Sequence, residues 1–542
     1  MNNLSLRDLK QMNKDNLMNL FLSLQEFTHK TLRENADLKG LLEIRRKLDF
    51  ASSSEKLDDQ LPMLFDELDV ERVPPQETES TSVTVQSHTR KKQHRKVSLP
   101  ADAPVVTIDH TESAPSCQNC GGDEMIRVED KVVDRMGYQP ARRYIERHVY
   151  AQYRCDACEA EASDGEQNVA APGFHPQVDG LMAAPSLVAH AAVQKFADGL
   201  PLYRQSGMLK RDGMEISRQT LSNWLLRYWE LLKPLNQKLK EHILQAPLIN
   251  QDETAIKVLN PADEASSKNN FMVVQAGTSE DRRAILFTYV SNRRIRTIDS
   301  LLEGYQHFVQ TDGLKGYNHL SRHIGCWVHA VRQLKQILKV NPKAEAAQKL
   351  CNYAAMLYII EREEREKAAE QQLTKEQFLA NRRERAEGEI RKIKAYADSI
   401  RPNYTKGSAM GKALNYLYEY WPTLTRYLDC YEATPSNNLA ENSIRPFVLG
   451  RKSWLFANTV NGADASALYY SLVETAKANK LNPYDYLWYL LEQAPSCRTA
   501  ESWDSLLPWN IDISAIHQLK ARRDSAAADP LRKESYLLRG SR

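Results

Sequence analysis

The spacing of apolar residues changes several times along this chain, and each change predicts a different kind of element. Leu17, Leu24 and Leu38 recur at one position of a seven-residue repeat, and Leu20, Phe27, Leu41 and Leu48 at a second. Thr31, Glu34 and Arg45 interrupt the seam, leaving seven of ten seam positions apolar. The stripe predicts a short coiled-coil or oligomerisation helix within 1–50; a helix packed on its own domain would carry the same stripe. The chain then turns polar. Residues from about Val73 to Pro115 are rich in Pro, Ser, Thr and charge, which predicts a linker over 51–113.

Alternation follows. The stretch KVVDRMGYQPARRYIERHVYAQYRC has the period of short strands and lies between Cys117-Gln-Asn-Cys120 and Cys155-Asp-Ala-Cys158. Two matched pairs of thiolates suit one tetrahedral Zn²⁺, so 114–162 is expected to be a zinc ribbon, structural because four thiolates leave no open position. Paired redox cysteines are the competing reading, disfavoured because no βαβ pattern flanks the pairs. Over 163–245 the spacing becomes helical, with breaks at Gly199-Leu200-Pro201 and Asp212-Gly213 and with Ser217 placed to cap the run RQTLSNWLLRYW. This region has a helix-turn-helix character, which suits a DNA reader and a helical packing layer equally well.

From residue 246 the pattern becomes strand-like. PLINQDETAIKVL, FMVVQAGT and RRAILFTYV predict three antiparallel strands, because their connections are too short for a parallel crossover. A helix (RTIDSLLEGY) and two further strands, in HFVQTDGLKGYNHL and HIGCWVHAV, complete a first part at 246–330. Residues 331–435 read as a charged helical insertion, 436–495 as the last part of the same core, and 496–542 as a C-terminal tail. The fold class expected is therefore a multidomain α/β protein with a ribonuclease-H-like (retroviral-integrase-like) core. At 542 residues, about three or four modules are expected.

Composition narrows the class only modestly. Apolar content of 42% and charged content of 26% are those of a soluble globular protein, and no apolar run reaches the length of a membrane span. The N-terminus lacks the order of a secretory signal, so a cytoplasmic, reducing location is expected. Net charge is +3, but the run Arg90, Lys91, Lys92, Arg95 and Lys96 concentrates positive charge as phosphate-backbone contacts do.

The candidate chemistry lies in three acids. Asp252 falls in or at the end of the first strand, Asp312 ends the fourth, and Glu441 enters from a later helix ahead of a basic and aromatic run. Three carboxylates suit two Mg²⁺ ions (or Mn²⁺) that stabilise both oxygens of an in-line phosphoryl displacement. Singly, each acid has a simpler explanation: a strand-end cap at Asp252 or Glu253, a turn residue at Asp312 before Gly313, an ion pair of Glu441 with Arg445. Their joint placement points to metal-dependent cutting of nucleic acid.

Several long segments then carry a resemblance. KFADGLPLYRQSGMLKRDGMEISRQTLSNWL, QDET, QTDGLKGY, GCWVHAVRQL and NNLAENSIRPFVLGRKSWLFANTVNGADASALYYSLVETAKANKLNPYDYL, in this order behind the CQNCGG…YRCDACEA element, resemble the DDE transposases of the insertion-sequence 66 family. The resemblance implies a bacterial mobile-element enzyme that binds terminal inverted repeats, cleaves DNA and joins the ends to target DNA. It implies that Asp252, Asp312 and Glu441 form the metal-binding triad. It also implies that His329, Arg332, Arg445, Arg451, Lys452 and Trp454 contact phosphate or stack on bases. Homo-oligomers and small accessory transposition proteins are the partners it suggests. One departure is Ser436-Asn437-Asn438 where the family usually has Asp-Asn-Asn, which raises the question of how the turn before Glu441 is braced. A silent DNA-binding regulator, or a nuclease that does not join strands, remains the alternative at this level.

Overall fold

The computed structural model describes residues 181–260 and 270–528, with side chains to 521, together with the short stretches 153–154 and 169–170 and the single helical positions Met18 and Gln25. The leucine-rich repeat, the basic run and Cys117, Cys120, Cys155 and Cys158 lie outside the described residues.

The described fold is mixed α/β with a helical majority. Strands β1 (Leu248–Ile256), β3 (Asn270–Ser279) and β4 (Arg282–Val290) are antiparallel neighbours, with Asp252 opposite Val274 and Val274 opposite Phe287. A two-residue turn at Glu280 and Asp281, both at positive φ, joins β3 to β4, the geometry that matches strand twist in tight hairpins. Short strands β5 (Phe308–Gln310) and β6 (His323–Ile324) then add in parallel on the other side of β1, giving the order β4-β3-β1-β5-β6. A second, two-stranded parallel ladder pairs β2 (Val258–Asn260) with β7 (Ala457–Thr459).

The stretch HIGCWVHAV, expected as a strand, is one only at His323–Ile324. Helix α5 (Trp327–Val340) begins almost at once, because Trp327 is buried and its indole N–H donates to Leu424 O at 2.8 Å. Ahead of the sheet come α1 (Pro185–Phe196), α2 (Leu202–Arg211) and α3 (Arg218–Ile243); helix α4 (Ile295–Leu301) links β4 to β5. Ser217 caps α3 by accepting from Thr220 N at 3.1 Å, as its position predicts. Nine apolar positions of α3, from Leu221 to Ile243, are buried, so this helix is a packing layer of the core.

After α5, the 331–435 stretch contains α6 (Glu345–Gln371), α7 (Lys375–Ile400), α8 (Ala409–Glu419) and α9 (Trp421–Thr425). These helices share a hydrophobic cluster with α5 that includes Leu350, Leu357, Ile393, Leu414 and Leu424 and reaches the sheet at Leu248 and Ile324. The chain returns through α10 (Asn438–Trp454), α11 (Val460–Ala478) and α12 (Pro483–Gln493), and ends in α13 (Ala500–Asp504) and α14 (Ile513–Ala528).

Edge strand β4 is closed off by α11. Thr475 Oγ1 donates to Ile285 O and accepts from Ile285 N, both at 3.0 Å, and Ser471 Oγ accepts from Phe287 N at 2.7 Å. Helix side chains thereby satisfy the backbone groups that an uncovered edge would offer to another chain. Cys326, Cys351 and Cys430 are buried free thiols and Cys497 is half-buried. No helix among the described residues is long and apolar enough to cross a membrane.

Candidate active site

The pleat of β1 sends Asp252 to the face shared with Val274 and Phe287, against which α10 packs, and Glu253 to the opposite face. Asp312 follows the neighbouring parallel strand β5, and Glu441 lies in the first turn of α10, where the positive end of the helix dipole favours a carboxylate. The structure therefore brings the three sequence-predicted acids, from three separate segments, to one half-buried locality. Their mutual influence is direct. Burial raises Asp252 well above the ordinary carboxylate range, and the charges of Asp312 and Glu441 push it further the same way. Burial also raises Asp312 and Glu441; Arg332 counteracts both, and the charge of Asp312 adds to the rise at Glu441. Like charges gathered in a partly desolvated place cost free energy that a bound cation would relieve.

Each acid is held by its own backbone surroundings. Asp252 Oδ1 accepts from Glu253 N at 2.8 Å, and Asp312 Oδ1 from Leu314 N at 3.0 Å. A Cβ at Gly313 would meet the Tyr416 phenol of α8 and force that ring to shift, while Tyr420 donates to Gly313 O. The Glu441 turn is braced by Asn437, which is fully buried. Its Nδ2 donates to Gln251 O at 2.9 Å, its Oδ1 accepts from Asn250 Nδ2 at 2.9 Å, and its N–H donates to Cys326 Sγ at 3.3 Å. Gln310 continues the network, accepting from Asn250 Nδ2 at 3.1 Å and donating to Thr434 O at 2.7 Å. Ser436, where the resemblance leads one to expect Asp, is buried and bonded within the turn through Thr434. Asn437 thus supplies the brace.

The remaining expected contact residues divide into two groups. His329 and Arg332, one turn apart on α5, converge on Glu441: Arg332 Nη2 lies 3.4 Å from Glu441 Oε2, and His329 Nδ1 3.6 Å from Glu441 Oε1. Arg332 Nη1 is 3.0 Å from His329 Nε2, so that nitrogen accepts and the neutral ring carries its proton on Nδ1. Burial, then the Arg332 charge, lowers His329 to about 4, which keeps the ring neutral. Arg445, half-buried one turn after Glu441, also lowers its pKa. By contrast, Arg451 is engaged inside the chain, donating to Thr254 Oγ1 at 2.9 Å and to Ala255 O, so it clamps α10 to β1. Trp454 is half-buried edge-on against Phe447, with ring centroids 5.4 Å apart. Lys452 is exposed, and beyond Trp454 the exposed apolar side chains are Leu455 (64 %) and Phe456 (42 %).

The sequence pattern accounts for Glu253 only as a strand-end cap. Its side chain is 4% exposed, accepts from Tyr317 Oη at 3.0 Å and pairs with Arg293 at 3.3 Å. Burial and the Asp312 charge raise its pKa. Arg293 in turn lowers Asp312, so Glu253 holds a cation beside the site. Only its adjacency to Asp252 hinted at this; neither Asn437 nor Arg293 carried a signal of period or spacing.

The family model described as "Transposase IS66 family" matches residues 180–465, a span that contains Asp252, Asp312 and Glu441. "IS66 C-terminal element" matches 471–509, and "Transposase C of IS166 homeodomain" matches 37–108. The uncharacterized protein y4jD of Sinorhizobium fredii is 29% identical over 439 residues, covering 78% of this chain and 83% of the relative. Uncharacterized protein y4hP of the same organism is 24% identical over 479 residues, 84% of each chain. No solved structure matches. A match to the transposase model over more than half of the chain, followed directly by the C-terminal element, means that the chain belongs to the IS66 transposase family.

Proposed function

We propose that this protein is a DDE transposase that binds the terminal inverted repeats of its element and catalyses DNA cleavage and strand transfer with Asp252, Asp312 and Glu441 as the catalytic acids. The observation that carries the reading is the convergence of these three carboxylates, each raised by burial and two of them by the charge of Asp312. A ribonuclease-H-like core is the fold we assign, supported by the strand order β4-β3-β1-β5-β6 with its antiparallel first three strands and parallel last two.

The donor set is all oxygen and all acidic, which suits hard divalent cations, so Asp252, Asp312 and Glu441 would hold two Mg²⁺, or Mn²⁺. When bound, such ions polarise the scissile phosphate and lower the pKa of the attacking water or 3′-hydroxyl. The chain's own residues orient and balance charge. Asn437 fixes Glu441 relative to β1, and Arg332 and Arg293 supply positive charge beside the acids. His329, neutral at working pH, can donate or accept a hydrogen bond without adding charge. Lys452 and Arg445, on the helix that carries Glu441, are suited to DNA phosphates, as is the run Arg90, Lys91, Lys92, Arg95 and Lys96. In the same reading, Cys117, Cys120, Cys155 and Cys158 hold a structural Zn²⁺ and the N-terminal repeat joins copies of the chain.

The test is a cleavage and strand-transfer assay on a labelled element-end duplex with Mg²⁺, comparing wild type with Asp312→Asn and Glu441→Gln. Loss of several kcal/mol of transition-state stabilisation predicts a fall in joined product of about a thousandfold in each variant. Equal product from wild type and either variant would overturn the site. Specific binding with no product from wild type would overturn the catalytic reading in favour of a regulator.

A further inference from the structure

Cys326, His329 and Glu441 each present one ligand atom to a common point, all within 4.8 Å of one another. Two of these atoms, His329 Nδ1 and Glu441 Oε1, are buried with no hydrogen-bond partner, although they face each other at 3.6 Å. The third, Cys326 Sγ, belongs to a side chain 1% exposed. Unsatisfied buried polar atoms are uncommon, and two converging beside a thiol demand an explanation. Zinc bonds of ≈ 2.0–2.3 Å in a tetrahedron put neighbouring ligand atoms roughly 3.3–3.6 Å apart. The 3.6 Å already present is that spacing, and small side-chain rotations close the rest.

We infer that Cys326, His329 and Glu441 form a second metal site, selective for a thiophilic divalent cation of the zinc class, which withdraws Glu441 from catalysis. Thiolate, imidazole and carboxylate together match zinc and mismatch Mg²⁺, whose preference is for oxygen. Binding replaces the Cys326 S–H bond by a sulfur–metal bond and releases that proton to solvent. It also moves the proton of His329 from Nδ1 to Nε2, because Nδ1 becomes the ligand. Nε2 now faces the guanidinium of Arg332 at 3.0 Å and would then be a second donor opposite a donor. Arg332 must therefore release His329 for the metal to enter, which makes this arginine the gate of the site. The inhibitory consequence rests on Glu441 being catalytic, whereas the binding itself does not.

The experiment counts metal on the full chain. Metal-stripped wild type, Cys326→Ser, His329→Ala and Arg332→Gln are reloaded with Zn²⁺, and bound equivalents and affinity are measured by competition with a chromophoric chelator. Cys117, Cys120, Cys155 and Cys158 are common to all four proteins, so differences report the new site. Wild type is expected to hold one equivalent more than Cys326→Ser and His329→Ala, or to bind that equivalent at least about tenfold more tightly. Arg332→Gln is expected to bind it several-fold more tightly than wild type. His329 is partly exposed, so its variant decides the question if Cys326→Ser fails to fold. Equal content and affinity in wild type and His329→Ala would overturn the site. No metal-count result depends on DNA or turnover, so it stands or falls apart from the strand-transfer reading. In the Mg²⁺ assay, Zn²⁺ should inhibit wild type at concentrations that leave His329→Ala's own residual activity unchanged; equal inhibition of both would remove the inhibitory role and leave only the binding count to judge.

Discussion

The 331–435 helices and the carboxylate site both bury acids, and they treat them in opposite ways. In the helical region Glu361 lies between Arg365, at 2.8 Å, and the fully buried Arg382, at 3.3 Å, while Glu364 pairs with Arg385 at 2.8 Å. Arg382 goes further, donating to the carbonyls of Tyr427 at 2.7 Å, Cys430 at 2.8 Å and Ala433 at 3.0 Å. At the site, Asp252, Asp312 and Glu441 gather with Arg332 and Arg293 only partly opposing them, and their pKa values rise. One region pairs its buried acids with arginines and holds shape; the other keeps buried like charges incompletely opposed. They are also mechanically joined, because the carbonyls held by Arg382 belong to the segment that leads into the Asn437 brace and Glu441.

The paired region is most vulnerable at Arg382. Replacing it with Leu leaves Glu361 with Arg365 as its remaining cation and removes a charged donor from three buried carbonyls, and is expected to cost about 3–5 kcal/mol, read as a lower denaturant midpoint. Strand transfer should fall with it although none of the three proposed catalytic acids is touched; an unchanged midpoint would refute the clamp. A milder cut is Asn437→Ala. Loss of the bonds to Gln251 O and Asn250 should cost about 1–3 kcal/mol, and misplacement of Glu441 should lower strand transfer by about a hundredfold. A variant stable but fully active would show that the turn needs no brace.

The carboxylate site answers to pH. The three site acids have folded pKa values above their unfolded ones, so the folded chain retains protons that the unfolded chain releases. Their favourable contribution is present below the ordinary carboxylate range and is lost as pH rises through the raised values. Asp252→Asn should therefore melt about a degree or two above wild type at neutral pH without metal, and lose less stability as pH rises from the ordinary carboxylate range. Mg²⁺ should raise the melting temperature of wild type and leave the variant nearly unmoved. A variant that melts lower than wild type at neutral pH would mean that the site is electrostatically satisfied.

Much of this was legible in the chain. Alternating and helical periods marked β1, β3, β4 and the charged helices, since burial on one face imposes a period of two or 3.6 on any stable element. The acids Asp252, Asp312 and Glu441 stood at recognisable motif positions, and the family followed from long segments in one order. What the sequence could not disclose was partnership across distance. Period and composition say which residues are buried, never which distant residue satisfies them. Only tertiary structure paired Asn437 with β1, bonded Arg451 to Thr254 and Ala255, set Arg382 over the carbonyls before Glu441, and brought Cys326 and His329 to the carboxylate that the chain itself had already singled out.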